Sequence, residues 1–194
     1  MNEFQEAIKG FTDLPIAVVA LIFSVMLKRK GKESFAELFG LTALSAVAGA
    51  LVHIFKFTST AKNLIWIGLY LALFEAIRRF SYLMSNYIKA EQKPEKIFFY
   101  SLEGVLYLLA VVLMLFAGKF DMACLLVFGA VNVLRILISA VKSKRMPLKV
   151  VMLLVFAVFG IAFQFLSGTL PFAVVYEHAL IFAMLFTVYL IAKE

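Results

Sequence analysis

Long apolar runs alternate along the chain with short charged or glycine/proline breaks. Taking the breaks as turns predicts seven helical spans, at about residues 13–28, 35–57, 63–87, 97–117, 120–141, 147–167 and 170–192. A helix needs roughly 20 apolar residues, rising ~1.5 Å each, to cross a hydrocarbon core of ~30 Å. The prolines suit this division. Pro15, Pro147 and Pro171 fall in first turns, where the missing N–H costs nothing, and Pro94 falls in the charged linker KAEQKPEK. Thr12 or Asp13 is then the expected N-cap of the first span, and Thr169 that of the last. No repeat is visible beyond TDLP and GTLP, a similarity too short for more than shared capping.

The predicted fold class is all-α: a polytopic integral membrane protein, a seven-transmembrane-helix bundle forming a single transmembrane domain over residues 1–194. Composition sharpens the picture. Of the 194 residues 64% are apolar and 16% charged, and mean hydropathy is +0.99. Soluble domains hold nearer ~45–50% apolar and ~25% charged residues. A soluble globular enzyme is excluded by this balance, as are disordered, collagen-like, coiled-coil and disulfide-rich chains. The lone cysteine, Cys124, sits in an apolar run and reads as a small buried or lipid-facing residue. The opening segment MNEFQEAIKGFTDLP, with Glu3, Glu6 and no small-residue cleavage site, does not read as a cleaved signal peptide.

The net charge of +7 is unevenly placed. Lys28, Arg29, Lys30 and Lys32 follow the first span; Lys89, Lys93 and Lys96 follow the third; Lys142, Lys144, Arg145 and Lys149 follow the fifth. The alternate linkers hold Lys56 and Lys62, then Lys119, then no charge in SGTLP. The positive-inside rule predicts an outside N-terminus and an inside C-terminus carrying Lys193. The basic excess therefore faces a membrane surface and membrane lipids; no nucleic-acid-binding motif accompanies it. The expected location is the cytoplasmic membrane of a prokaryote.

Ionisable groups inside spans are costly, so each is a candidate for function. They sort into two layers. The inner one holds Glu75, Arg78, Arg79, Glu103, Asn132 and Arg135. Glu75 reaches Arg78 and Arg79 at i+3 and i+4. Tyr100, Glu103 and Tyr107 share one stripe, and Gly129, Asn132, Arg135, Ser139 and Lys142 another. Two accounts fit: a structural cluster in which acids neutralise arginines and a spare arginine snorkels, or an inner vestibule for an anionic lipid headgroup or a transport gate.

The outer layer holds Asp13, His53, Gln164, Glu177 and His178. Thr42, Ser45, Gly49, His53 and Lys56 form one small or polar stripe, which either packs tightly or lines a cavity. Ser45 and Gln164 are candidates for an outer pocket. Asp13 and Glu177 are candidate catalytic acids, with capping as the plainer role of Asp13. His53 and His178 are the only histidines in the chain. Imidazoles and carboxylates from different helices suit zinc, which would make a bound water nucleophilic beside lipid. No compact motif such as HExxH is present.

Asp13 in FTDLP, His53 in SAVAGALVH and His178 in VVYEHALIF, on seven spans with an outside N-terminus, resemble the alkaline ceramidase and adiponectin-receptor superfamily of seven-helix membrane hydrolases. The glycine-containing stretch before His53, and Gln164 before the last span, are most similar to small prokaryotic ceramidase-like proteins of unknown activity. The resemblance implies a zinc-dependent hydrolase of an amide-linked lipid such as ceramide. It implies three histidine ligands, one on the second helix and an HxxxH pair on the seventh, assisted by a serine and an aspartate. His53 matches the first ligand and His178 one of the pair. The positions four residues either side of His178 are Val174 and Phe182, and the place of the serine is taken by Gly49. Asp13 or Glu177 is left to complete the ligand set.

Three functions follow: a metal-dependent intramembrane lipid hydrolase; a non-enzymatic transporter, channel or lipid-binding protein working through the inner layer without a cofactor; and a haem protein with His53 and His178 as axial ligands.

Overall fold

The computed structural model describes residues 3–89, 93–117, 122–166, 170 and 172–194. It is all-helical: α1 (Glu3–Arg29), α2 (Glu33–Ile54), α3 (Ser59–Ile88), α4 (Lys93–Ala117), α5 (Met122–Ser143), α6 (Leu148–Leu166) and α7 (Ala173–Ala192). The capping expected of Thr169, the first-turn place of Pro171 and the linker lysine Lys119 fall outside the described residues, as do the side chains of Gln164 and Cys124.

Among the described residues, six helices are long and apolar enough to cross a membrane, over Ala7–Arg29, Glu33–Ile54, Ser59–Ile88, Lys93–Leu113, Leu125–Ser143 and Ala173–Ala192. In α6 the described apolar stretch is Leu148–Phe163. The chain thus fits a helical membrane protein. Its exposed surface agrees: Val105, Leu108, Val141, Leu148 and Val158 are all exposed apolar residues, which water penalises and lipid does not.

Two of the boundary differences from the sequence reading move a proline. α1 starts well before Asp13, so Pro15 lies inside a helix and neither Thr12 nor Asp13 caps one. Thr12 Oγ1 instead lies 2.8 Å from the Ile8 carbonyl and 3.0 Å from that of Lys9, its one proton shared among these and His178, and Asp13 turns to another helix. A Thr-Asp-x-Pro string carries capping chemistry, but a helix can run through it when its polar side chains find partners elsewhere. α4 starts at Lys93, which moves Pro94 from the linker into the first turn, where it forfeits no hydrogen bond.

The α1–α2 turn shows how glycine shortens a connection. Gly31 has φ +70°, its N–H bonds the Lys28 carbonyl, and the Lys32 N–H bonds Leu27. This paired closure of a helix C-terminus needs a left-handed residue, which glycine adopts without steric cost.

The helices group into two compact units. One comprises residues 1–72 and 148–194, the other residues 73–147, and α3 contributes its first half to one and its second half to the other. In the first, α1 lies along α2 and against α7, and α6 packs on α7. Gly10 permits the α1–α2 approach, since a Cβ there would come within 2.5 Å of Ile54 Cγ1. The Phe23 ring stacks on Tyr189 at 4.2 Å and meets Phe39 and Phe186 edge-on. In the second unit α4 packs on α5, and Phe74 meets Phe128 at 4.6 Å. Close apolar packing of this kind holds helices together where lipid supplies no hydrophobic driving force.

Candidate functional site

The two layers of polar residues fall into the two units. In the first, His178 on α7 is buried, and both its ring nitrogens are engaged by α1. Nδ1 lies 2.8 Å from Thr12 Oγ1 and Nε2 lies 3.1 Å from Asp13 Oδ1. A carboxylate only accepts, so Nε2 carries the proton toward Asp13. Asp13 also reaches α2: a Cβ placed on Gly49 would lie 2.7 Å from its Oδ2. The small residue of the α2 stripe therefore makes room for a carboxylate, and the place where the ceramidase resemblance would put a serine is filled by Asp13.

His53, one turn further along α2, has other company. Its ring stands edge-on to Trp66 at 5.7 Å, and Trp66 stacks on Tyr70 at 5.4 Å. Thus His178 binds α1 while His53 packs on α3. Ser45 spends its hydroxyl on the Thr42 carbonyl of its own helix (2.9 Å), as Thr42 does on Leu38. Lys56 lies beyond the end of α2, off the stripe expected to include it. Glu177, half-buried, is next to His178 on α7. Among the described residues no three His, Cys, Asp or Glu side chains are placed to hold a metal ion. Metal binding at His178 would also have to displace Thr12 or Asp13.

The second unit gathers the charged residues. Glu75 accepts from Arg78 Nε (2.7 Å) and Nη2 (2.6 Å) on its two oxygens, and from Arg79 Nε (2.8 Å). This is the i+3, i+4 pairing legible in the sequence. Arg135 on α5 donates through Nη1 to Glu103 Oε1 on α4 at 2.9 Å, and both side chains are almost fully buried, at 0% and 2% exposure. Arg135 does not snorkel. Its guanidinium lies 5.1–5.4 Å from the ring centroids of Tyr82, Phe99 and Tyr100, a cation–π setting that offsets part of its desolvation. Asn132 donates to the Phe128 carbonyl (2.8 Å) and accepts from the Ser81 hydroxyl. Lys142 closes the α5 stripe by pairing with Glu95.

Beside these pairs lies an open cleft of about 380 Å³, lined by Phe74, Glu75, Arg78, Tyr100, Glu103, Gly104, Tyr107 and Phe128. Tyr100, Glu103 and Tyr107, one stripe in the sequence, all face it. Sequence reasoning missed the aromatic rings of Tyr82 and Phe99, although helical spacing offered a signal: Tyr82 is four residues after Arg78, and Phe99 four before Glu103. It also missed Thr12 and Trp66 as partners of the two histidines.

Residues 8–123 match the Family of unknown function (DUF6962). The match takes in more than half of the chain, and the protein belongs to that family. It spans every cleft residue except Phe128, and it stops short of Arg135, Glu177 and His178. No curated protein and no solved structure matches the chain.

Proposed function

We propose that this member of the DUF6962 family is a non-enzymatic integral membrane protein that binds a membrane lipid in the cleft of residues 73–147. All seven helices cross the membrane in this reading, with the N-terminus outside and the C-terminus inside the cytoplasmic membrane of a prokaryote. The loop lysines and arginines support that orientation. The carrying observation is the cleft. It sets an ion pair, Glu75 with Arg78, beside Phe74 and Phe128, within helices that lipid would surround. Pockets of ~300–1,000 Å³ with an apolar lining and a few fixed polar groups are ligand sites by default.

A diazirine-bearing phospholipid, photolysed with the purified protein, should label peptides of α4, α5 and the second half of α3 ahead of α1, α2 and α7. Even labelling of all helices would sink the proposal. For topology, single cysteines at Lys56 and Lys144 should react with an impermeant maleimide from opposite sides of sealed vesicles.

A second reading, the zinc-dependent ceramidase-like hydrolase, draws on one observation: Asp13 and His178, two of the three residues carrying that resemblance, are in contact. The lipid-binding reading stands ahead of it because both nitrogens of His178 are already engaged by protein. Stoichiometric zinc in purified protein, lost in His178→Ala, would reverse that order; iron with a Soret band would favour haem instead.

A further inference from the structure

Arg78 is engaged along one edge only. Nε and one Nη2 hydrogen go to Glu75, and Nη1 has no hydrogen-bond partner among the described residues. A guanidinium carries five N–H donors in a fixed fork, so the Nη1–Nη2 edge remains for a ligand. Glu75 cannot fold round to satisfy it, because Arg79 also holds Glu75 Oε1. The guanidinium is steadied over the Tyr100 ring at 5.3 Å. The hydroxyls of Tyr100 and Tyr107, both on the cleft wall, likewise make no hydrogen bond to protein among the described residues.

Charge decides the sign of the missing partner. A guanidinium is cationic and only donates, so the free edge of Arg78 takes an acceptor, and an anion best of all. Lys96, over the Tyr82 ring, is a further cation of the same unit. A cationic group would find both oxygens of Glu75 already held by arginines. Shape decides the rest. Gly104 opens the wall, since a Cβ there would meet nothing within 4 Å, and its neighbours Val105 and Leu108 are exposed apolar residues. A cleft of about 380 Å³ takes a headgroup, and an acyl chain would leave past Gly104 along α4.

We propose that the cleft recognises the anionic headgroup of a lipid, a phosphodiester or a carboxylate, through the free edge of Arg78. Two oxygens on one centre match that edge, as in other bidentate arginine sites. This rests on the lipid-binding reading above and names the lipid class.

The test is native mass spectrometry of delipidated protein offered phosphatidylglycerol, oleate or phosphatidylcholine. The wild type should retain at least one of the two anionic lipids about tenfold better than phosphatidylcholine, the worth of a charge-assisted pair. Preference for phosphatidylglycerol identifies a phosphodiester, and preference for oleate a carboxylate. Arg78→Gln should erase the preference; Arg79 stays to neutralise Glu75, and a thermal melt checks folding. Arg78→Lys should restore only part of it, because an ammonium lacks the fork. Gly104→Leu touches no charge and should exclude all three lipids. Equal retention of the three lipids, or an anionic preference that survives Arg78→Gln, overturns the headgroup proposal while lipid binding stands. Binding indifferent to Gly104→Leu overturns the lipid-binding site itself.

Discussion

Gly49 and Gly104 both sit on helices beside a carboxylate, and the space next to each is used in opposite ways. At Gly49 the missing side chain is replaced by Asp13, whose Oδ2 would lie 2.7 Å from a Cβ there. At Gly104 no described atom beyond its own stretch of helix comes within 4 Å of where the Cβ would be. The first glycine lets helices close around a hydrogen-bonded His178, and the second leaves a cleft beside charged groups. A small residue in an apolar helix therefore identifies neither packing nor a site; what occupies the vacated volume does. The same contrast runs through the charges. His178 has a partner on each nitrogen, whereas Arg78 keeps an edge open beside the cleft. One cluster is chemically closed and the other is unfinished.

The largest expected effect is at the Glu103–Arg135 pair. Arg135→Ala strands a buried carboxylate and should cost about 3–5 kcal/mol, read as a loss of unfolding free energy in mixed detergent micelles. Glu103→Leu in the same chain should recover most of it. A single variant as stable as the wild type would mean that water reaches Glu103, and the unit would be far more open than its burial indicates.

The two glycines come next. Gly49→Ala should destabilise by about 1–3 kcal/mol through overpacking, and adding Asp13→Ala should relieve the clash. Gly104→Ala should be neutral or stabilising by up to about 1 kcal/mol, since alanine is the better helix former. Equal costs at the two positions would erase the distinction drawn between them.

Smaller still is the difference between the histidines. His178→Ala removes two hydrogen bonds and should cost about 1–3 kcal/mol. His53→Ala loses an edge-on ring contact and should cost nearer 0.5–1.5 kcal/mol. The reverse order in thermal melts would make the Trp66 side the stronger anchor. At the exposed end of α5, Lys142→Ala breaks the pair with Glu95 and should change stability by no more than about 1 kcal/mol, a difference that added salt shrinks.

By itself the sequence determined the elements and the local pairs. Apolar runs near the span length fix where helices lie because a backbone in lipid must satisfy its own hydrogen bonds. The Glu75–Arg78–Arg79 group was legible because helical spacing alone brings i, i+3 and i+4 together. The stripe of Tyr100, Glu103 and Tyr107 was legible for the same reason. Which stripe meets which was not. That Asp13 turns from capping α1 to holding His178, that Arg135 finds Glu103 inside a ring of aromatics, and that Gly49 is filled while Gly104 is open all depend on the rotation and approach of one helix against another. Periodicity along a single helix carries no information about that rotation. It is set by the summed packing of many side chains, and so only the tertiary structure decided it.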